Sequence, residues 1–99
     1  MDKTVSLHLY YIAQEAISNA IKHGQATSVT VAIDESADRL VLTIRDNGNG
    51  FQSPPVGASG MGIRIMRYRA RMIGATLDLK SQPGLGTQII CALYTAAGK

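Results

Sequence analysis

Ninety-nine residues, 45% of them apolar, with a formal net charge of +3, describe one domain with a real core. They exclude a disordered chain and leave no room for a second domain. No apolar run approaches the about 20 residues of a membrane span, and no signal peptide opens the chain, so a cytosolic location is expected, with a membrane-anchored parent reading the same.

The single cysteine excludes an internal disulfide; within "TQIICALY" it reads as a buried structural thiol. The positive charge concentrates at Arg64, Arg67, Arg69 and Arg71. Four arginines on one amphipathic helix read as a solvated face, and nucleic acid is not an expected partner.

In chain order, Ser6 to His23 reads as an amphipathic helix with Gly24 in a capping role. Leu9, Tyr10, Ala13, Ala16, Ile17, Ala20 and Ile21 fill one arc of its wheel, the expected core face. Glu15, Asn19 and His23, spaced i, i+4, i+8, form a polar stripe at the edge of that arc, with Lys22 beside them. Asparagine is a poor helix former, so Asn19 in mid-helix asks for a reason beyond solubility.

"SVTVAID" and "DRLVLTIRD" alternate with period two, which predicts a hairpin across "ESAD". Val29, Val31 and Ile33 share one face of the first strand; Leu40, Leu42 and Ile44 share one face of the second, and Asp46 continues it. A carboxylate at the border of the core needs a partner. "DNG" ordinarily marks a hairpin turn, but "NGFQSPPVGASGMG" cannot follow it as a regular strand. Residues from about Gly50 to Gly60 are therefore expected to form a mobile loop.

Gly62 to Ile73 reads as a second helix, with Ile63, Met66, Ala70 and Ile73 inward and Gly74 closing it. "ATLDLKS" and "GTQIICALY" read as two strands across the turn "QPGLG". Leu77 and Leu79 face one way, as do Thr87, Ile89, Cys91 and Leu93; Asp78, Lys80 and Gln88 face water. The order predicts an α+β, two-layer sandwich over residues 1–99, both helices on one face of a mixed sheet. The polar stripe, the inward Asp46 and the "GMG" at the second helix N-terminus then converge on one edge. Glycines 60 and 62 there allow phosphate to approach unpaired N–H groups.

These segments also resemble a family in order. "QEAISNAIKH" is similar to the N box of sensor histidine kinases, and "DNGNGF" to their first glycine box. "GMGI" is similar to the second glycine box, and "GLGT" to the last glycine-rich segment. Together they cover nearly the whole chain, which resembles the ATP-binding catalytic domain of a histidine kinase (Bergerat fold). "EAxxNAxKH" and "MRYRARMIG" resemble the nitrate-sensor-like branch.

The resemblance implies ATP and Mg²⁺ as cofactors. Asp46, supported by Thr87, would accept from the adenine amine; Gly48 and Gly50 would pass beneath the base; Gly60, Met61, Gly62 and Ile63 would border the nucleotide. Asn19 would hold Mg²⁺, Lys22 and His23 would meet phosphate oxygens, and Glu15 would orient or deprotonate the nucleophile. Residues about 50–61 would form the ATP lid.

Implied partners are a dimerisation domain carrying the histidine that receives phosphate and, downstream, a response regulator of a two-component system. The chain supplies no such helical domain, and His8 lacks the helical-hairpin context of an acceptor. The expectation is an excised domain that binds Mg-ATP without phosphorylating itself, and that makes no direct membrane contact. The alternatives are a serine kinase of the anti-sigma-factor type and a nucleotide-binding module without transfer activity.

Overall fold

The computed structural model describes residues 3–49 and 58–94, of which 58–61 by backbone alone. The element order is α1 (Lys3–Lys22), β1 (Val29–Glu35), β2 (Arg39–Asp46), α2 (Ala58–Met72), β3 (Thr76–Gln82) and β4 (Gly86–Tyr94). The expected order of helix, hairpin, helix, hairpin is present. Both helices contribute to one cluster with the sheet: Leu9, Ile12 and Ala16 from α1 and Ile63, Met66 and Ala70 from α2 meet Leu40, Leu42, Ile44, Ile89, Cys91 and Leu93.

The strands lie in the order β1-β2-β4-β3. All three pairings are antiparallel, so the mixed sheet expected from sequence is, among the described residues, an antiparallel one. The reason is placement. β2 and β3 run parallel, as a strand-helix-strand unit requires, but β4 inserts between them and pairs antiparallel with both. β4 can sit there because "IICAL" is apolar on consecutive residues, and Ile89, Cys91, Ala92 and Leu93 are all buried.

The register stacks matching residues into rungs. Ile33, Leu42, Cys91 and Leu77 form one; Val31, Ile44, Ile89 and Leu79 form the next. Beyond them, Val29, Asp46, Thr87 and Ser81 form the last rung on the helix-covered side. That face is apolar for two rungs and turns polar at the end.

α1 differs from its expected wheel. Its buried residues are Leu9, Ile12, Ala16 and Ala20, whereas Tyr10 and Ile21 are each 60% exposed. The helix carries apolar residues around more than half its circumference, and α2 packs on the side of Ile12. That packing rotates the true core face away from Tyr10 and Ile21. β1 departs similarly: Val31 and Ile33 point to the helix side yet stay exposed, because β1 is the edge strand and overhangs the helical layer.

α2 begins at Ala58 rather than Gly62. Gly60 and Met61 therefore belong to its first turn, and the part of the expected lid at 58–61 is helical. Backbone N–H groups in a first turn have no carbonyl one turn back, so a few loop residues extend the helix at small cost. The rest of the expected lid, with Gly50 and Phe51, lies outside the described residues.

Candidate functional site

The site is built at the end of the sandwich where the inner face turns polar. α1 presents Glu15 and Asn19, one turn apart on its α2-facing side. Opposite them stands Gly62. A Cβ at Gly62 would lie 2.6 Å from Glu15 Oε2 and 3.1 Å from Asn19 Nδ2. The helices meet there through a residue with no side chain, and the gap is occupied by a carboxylate and an amide. Two segments separated by more than forty positions thus share one seam.

The second half comes from β2 and β4. Asp46 pairs with Thr87, and Thr87 with Ser81, across the final rung. Thr87 Oγ1 and Ser81 Oγ are 2.8 Å apart, and Ser81 Oγ also donates to the Gly86 carbonyl at 3.2 Å. Asp46 Oδ1 accepts a bond of 2.7 Å from the Gly48 N–H. That bond curls the chain after β2, an Asx-type turn in place of the hairpin that "DNG" usually signals. Oδ2 has no protein partner among the described residues.

Gly48 is buried, and a Cβ there would meet the Gly24 carbonyl oxygen at 2.6 Å. Gly86 sits at φ 86°, where a Cβ would overlap the Asp46 carbonyl oxygen. Both glycines let neighbouring backbones touch around Asp46.

Asn47 closes the arrangement. Its Oδ1 accepts from the N–H groups of Thr27 and Ser28, both at 3.0 Å, and its Nδ2 donates to Thr27 Oγ1 at 2.9 Å. The loop after α1 is thereby tied to the end of β2. The Asn49 N–H adds a 2.7 Å bond to the Gly24 carbonyl. The left-handed residue closing α1 is Gln25, at φ 54°, not Gly24. Gly24 is needed for space instead: a Cβ there would lie 3.0 Å from the Ala20 carbonyl oxygen.

The sequence-predicted residues thus fall into groups. Glu15, Asn19 and Gly62 are in contact, and Asp46, Gly48 and Thr87 form a second connected set. Ile63 is 4% exposed and packs in the core, so only its backbone could face a ligand. Lys22 and His23 are exposed at the end of α1, and the His23 N–H bonds the Asn19 carbonyl at 3.0 Å. Gly60 and Met61 are placed by backbone in the first turn of α2. Ser81 and Asn47 were missed. Period two could have placed Ser81 on the inner face, one pleat beyond Leu79; no local pattern marks Asn47 as a loop tie.

Donor chemistry sets what the site can hold. Among the described residues no three His, Cys, Asp or Glu side chains gather as a metal cluster. Glu15 and Asn19 offer hard oxygen atoms, the type Mg²⁺ takes while keeping several waters. α2 has no acidic residue of its own in its first turn, and the Glu15 carboxylate of α1 stands against Gly62 just behind it.

Comparison with known proteins follows the same lines. The sensor protein VraS of Staphylococcus epidermidis is 44% identical over 87 residues, 88% of this chain and 25% of the relative's length. VraS of Staphylococcus aureus shows the same identity and coverage. The chain thus spans about a quarter of the curated relatives it matches. Among solved structures, the ATP binding domain of PrrB from Mycobacterium tuberculosis superposes with a TM-score of 0.66 at 27% identity, covering 85% of this chain and 64% of that one. The histidine kinase domain of the Erythrobacter litoralis EL346 blue-light activated kinase shares the fold, with a TM-score of 0.71 at 24% identity over 91% of this chain and 47% of its own. Residues 4–96 match the family described as histidine kinase-, DNA gyrase B- and HSP90-like ATPases, and the chain belongs to that family.

Proposed function

We propose that this chain is the nucleotide-binding catalytic domain of a sensor kinase, which binds Mg-ATP and presents the γ-phosphoryl group to a histidine on another domain of its parent. The observation that carries the reading is the meeting of Glu15, Asn19 and Gly62 at the end of the sheet where the inner face becomes the polar rung Asp46–Thr87–Ser81. The similarity to sensor proteins supports it.

Asp46 Oδ2 would accept a hydrogen bond from the exocyclic amine of adenine, with Oδ1 held by the Gly48 N–H. Guanine offers a carbonyl oxygen at that position, and two facing acceptors cost roughly 1–3 kcal/mol or more. Thr87, oriented by Ser81, would support the base, and Gly50 would let it lie close to the backbone, whereas the space beside Gly48 is taken by the Gly24 carbonyl. The first turn of α2, which ends at Gly60 and Met61, would offer N–H groups to phosphate, and Gly62 just behind it would keep the approach free of a side chain. Lys22 and His23 would add positive charge from the end of α1.

Asn19 would hold Mg²⁺, which when bound neutralises phosphate charge. Glu15, one turn earlier, would orient or deprotonate the incoming nucleophile. The partners are then the histidine-bearing dimerisation domain and a response regulator. Among the described residues no helix is long and apolar enough to cross a membrane.

Calorimetric titration with Mg-ADP and Mg-GDP tests the reading. Adenine should be preferred at least tenfold, and Asp46→Asn should abolish the preference. Equal affinity of the parent chain for both nucleotides would overturn the role of Asp46. Asn19→Ala should weaken binding chiefly with Mg²⁺ present; the same loss in chelator would remove its metal role. Transfer of label from γ-labelled ATP to a histidine-bearing helical domain separates a kinase from a binding module.

A further inference from the structure

The sheet face turned away from the helices carries a cleft of its own, with a volume of 710 Å³. It lies at the same end of the sheet as the polar rung, whose Asp46, Thr87 and Ser81 also line it. Its floor is the outward rung Thr30–Arg45–Gln88–Lys80, one residue from each strand in register. Ser28 and Leu85 stand at its end.

Arg45 and Lys80 lie two strands apart, about 10 Å between Cα atoms at an inter-strand spacing of roughly 4.8 Å. Both side chains are long enough to converge above Gln88. Among the described residues neither forms an ion pair. Asp78 shares this face one pleat from Lys80, but it does not line the cleft.

Two cations, an amide and hydroxyl groups of Thr30 and Ser28 thus face one concavity, and its one acidic lining residue, Asp46, turns its carboxylate to the helix side by strand alternation. The guanidinium fork and the ammonium together suit a doubly charged, tetrahedral anion better than a lone carboxylate. The cleft is larger than a phosphate ion, and the 73% exposed Leu85 gives an organic body something to cover.

We propose that this cleft is a second site, which binds a small phosphate monoester and communicates with the nucleotide cleft behind it. The communication follows from the alternation of the strands. Arg45 precedes Asp46, Gln88 follows Thr87, and Lys80 precedes Ser81. Every residue facing the anion from β2, β4 or β3 is the chain neighbour of a residue in the polar rung on the other side. Drawing Arg45 and Lys80 together over Gln88 adjusts the same backbone that positions Asp46 and Thr87. Such coupling is reciprocal. The coupling rests on the nucleotide reading above; the anion site does not.

The test uses the full chain, labelled with ¹⁵N, and glycerol 3-phosphate as the probe. Saturable shifts of the Gln88 side-chain amide and the Arg45 N–H are expected, weakened at least tenfold in Arg45→Gln/Lys80→Gln and unchanged in Asn19→Ala. Lys80→Gln alone, on an exposed edge strand, should fold and show an intermediate loss. Shifts confined to Gly62 and its neighbours, or undiminished in the double variant, overturn the site. So does binding to phosphatidate vesicles with none to glycerol 3-phosphate.

Mg-ADP affinity measured with and without saturating probe should differ severalfold, and the difference should vanish in the double variant. Unchanged Mg-ADP affinity with the cleft occupied overturns the coupling. A chain that binds the probe at Gln88 but no Mg-ADP overturns the nucleotide reading and leaves the second site standing.

Discussion

Gly62 and Gly48 are both crowded, but by different kinds of atom. At Gly62 an added Cβ meets the ends of the Glu15 and Asn19 side chains, which can swing away. Alanine is also favoured over glycine inside a helix by about 1 kcal/mol. Gly62→Ala should therefore leave the melting temperature within a few degrees of the parent while weakening Mg-ADP at least tenfold, as differential scanning fluorimetry and calorimetry would show. At Gly48 the nearest atom is the backbone oxygen of Gly24, which cannot move without breaking the bond from Asn49. Gly48→Ala should cost about 2 kcal/mol or more in urea unfolding. Equal losses of stability in the two variants would contradict this distinction.

Cys91 gives a residue-scale prediction in pH. It is fully buried at the centre of β4, and burial pushes its thiol up from 9.0 to about 11. Only the neutral form suits the core, so the contribution is complete below pH 9 and is lost as pH rises through about 11. Urea unfolding at pH 8 and pH 10.5 should show the parent losing on the order of 1–3 kcal/mol more than Cys91→Ala. A thiol reagent should react with Cys91 only as the chain unfolds; rapid labelling at pH 8 would show that the burial is not protective.

At the scale of elements, the turn after β2 does the work of joining the layers. Asn47 holds the loop leaving α1 through three side-chain bonds, and the Asp46–Gly48 bond sets where the chain leaves β2. Asn47→Ala should destabilise the chain by about 1–3 kcal/mol, because two backbone N–H groups lose their acceptor. Nucleotide affinity should fall as well, since the loop carries the end of the Asn19 helix. Unaltered unfolding would mean that water replaces the amide. The neighbouring "DNG" is a case where local preference misleads: its hairpin signal is overridden by an Asx turn that tertiary neighbours require.

For the whole molecule, the sheet order predicts a gradient of protection. β2 and β4 have neighbours on both sides and carry all the buried residues of the sheet, whereas β1 is an edge strand whose apolar Val31 and Ile33 remain uncovered. Amide exchange should therefore be slowest at Leu42, Ile44, Ile89 and Cys91 and fastest among the strands in β1. Comparable protection in β1 and β4 would show that the free edge is covered in solution.

Element types and their order were legible in the amino-acid sequence, because period two and period 3.6 are local consequences of backbone geometry. So was the inward Asp46, carried onto the face of Leu42 and Ile44 by simple alternation. Which side of α1 is buried, why Val31 stays wet, and the antiparallel pairing of β4 between β2 and β3 were not. Each depends on what packs against the element, and a helix apolar on two sides cannot say which side its neighbour takes. The seam of Glu15 and Asn19 on Gly62 belongs to the same class, since it exists only once two distant helices lie side by side.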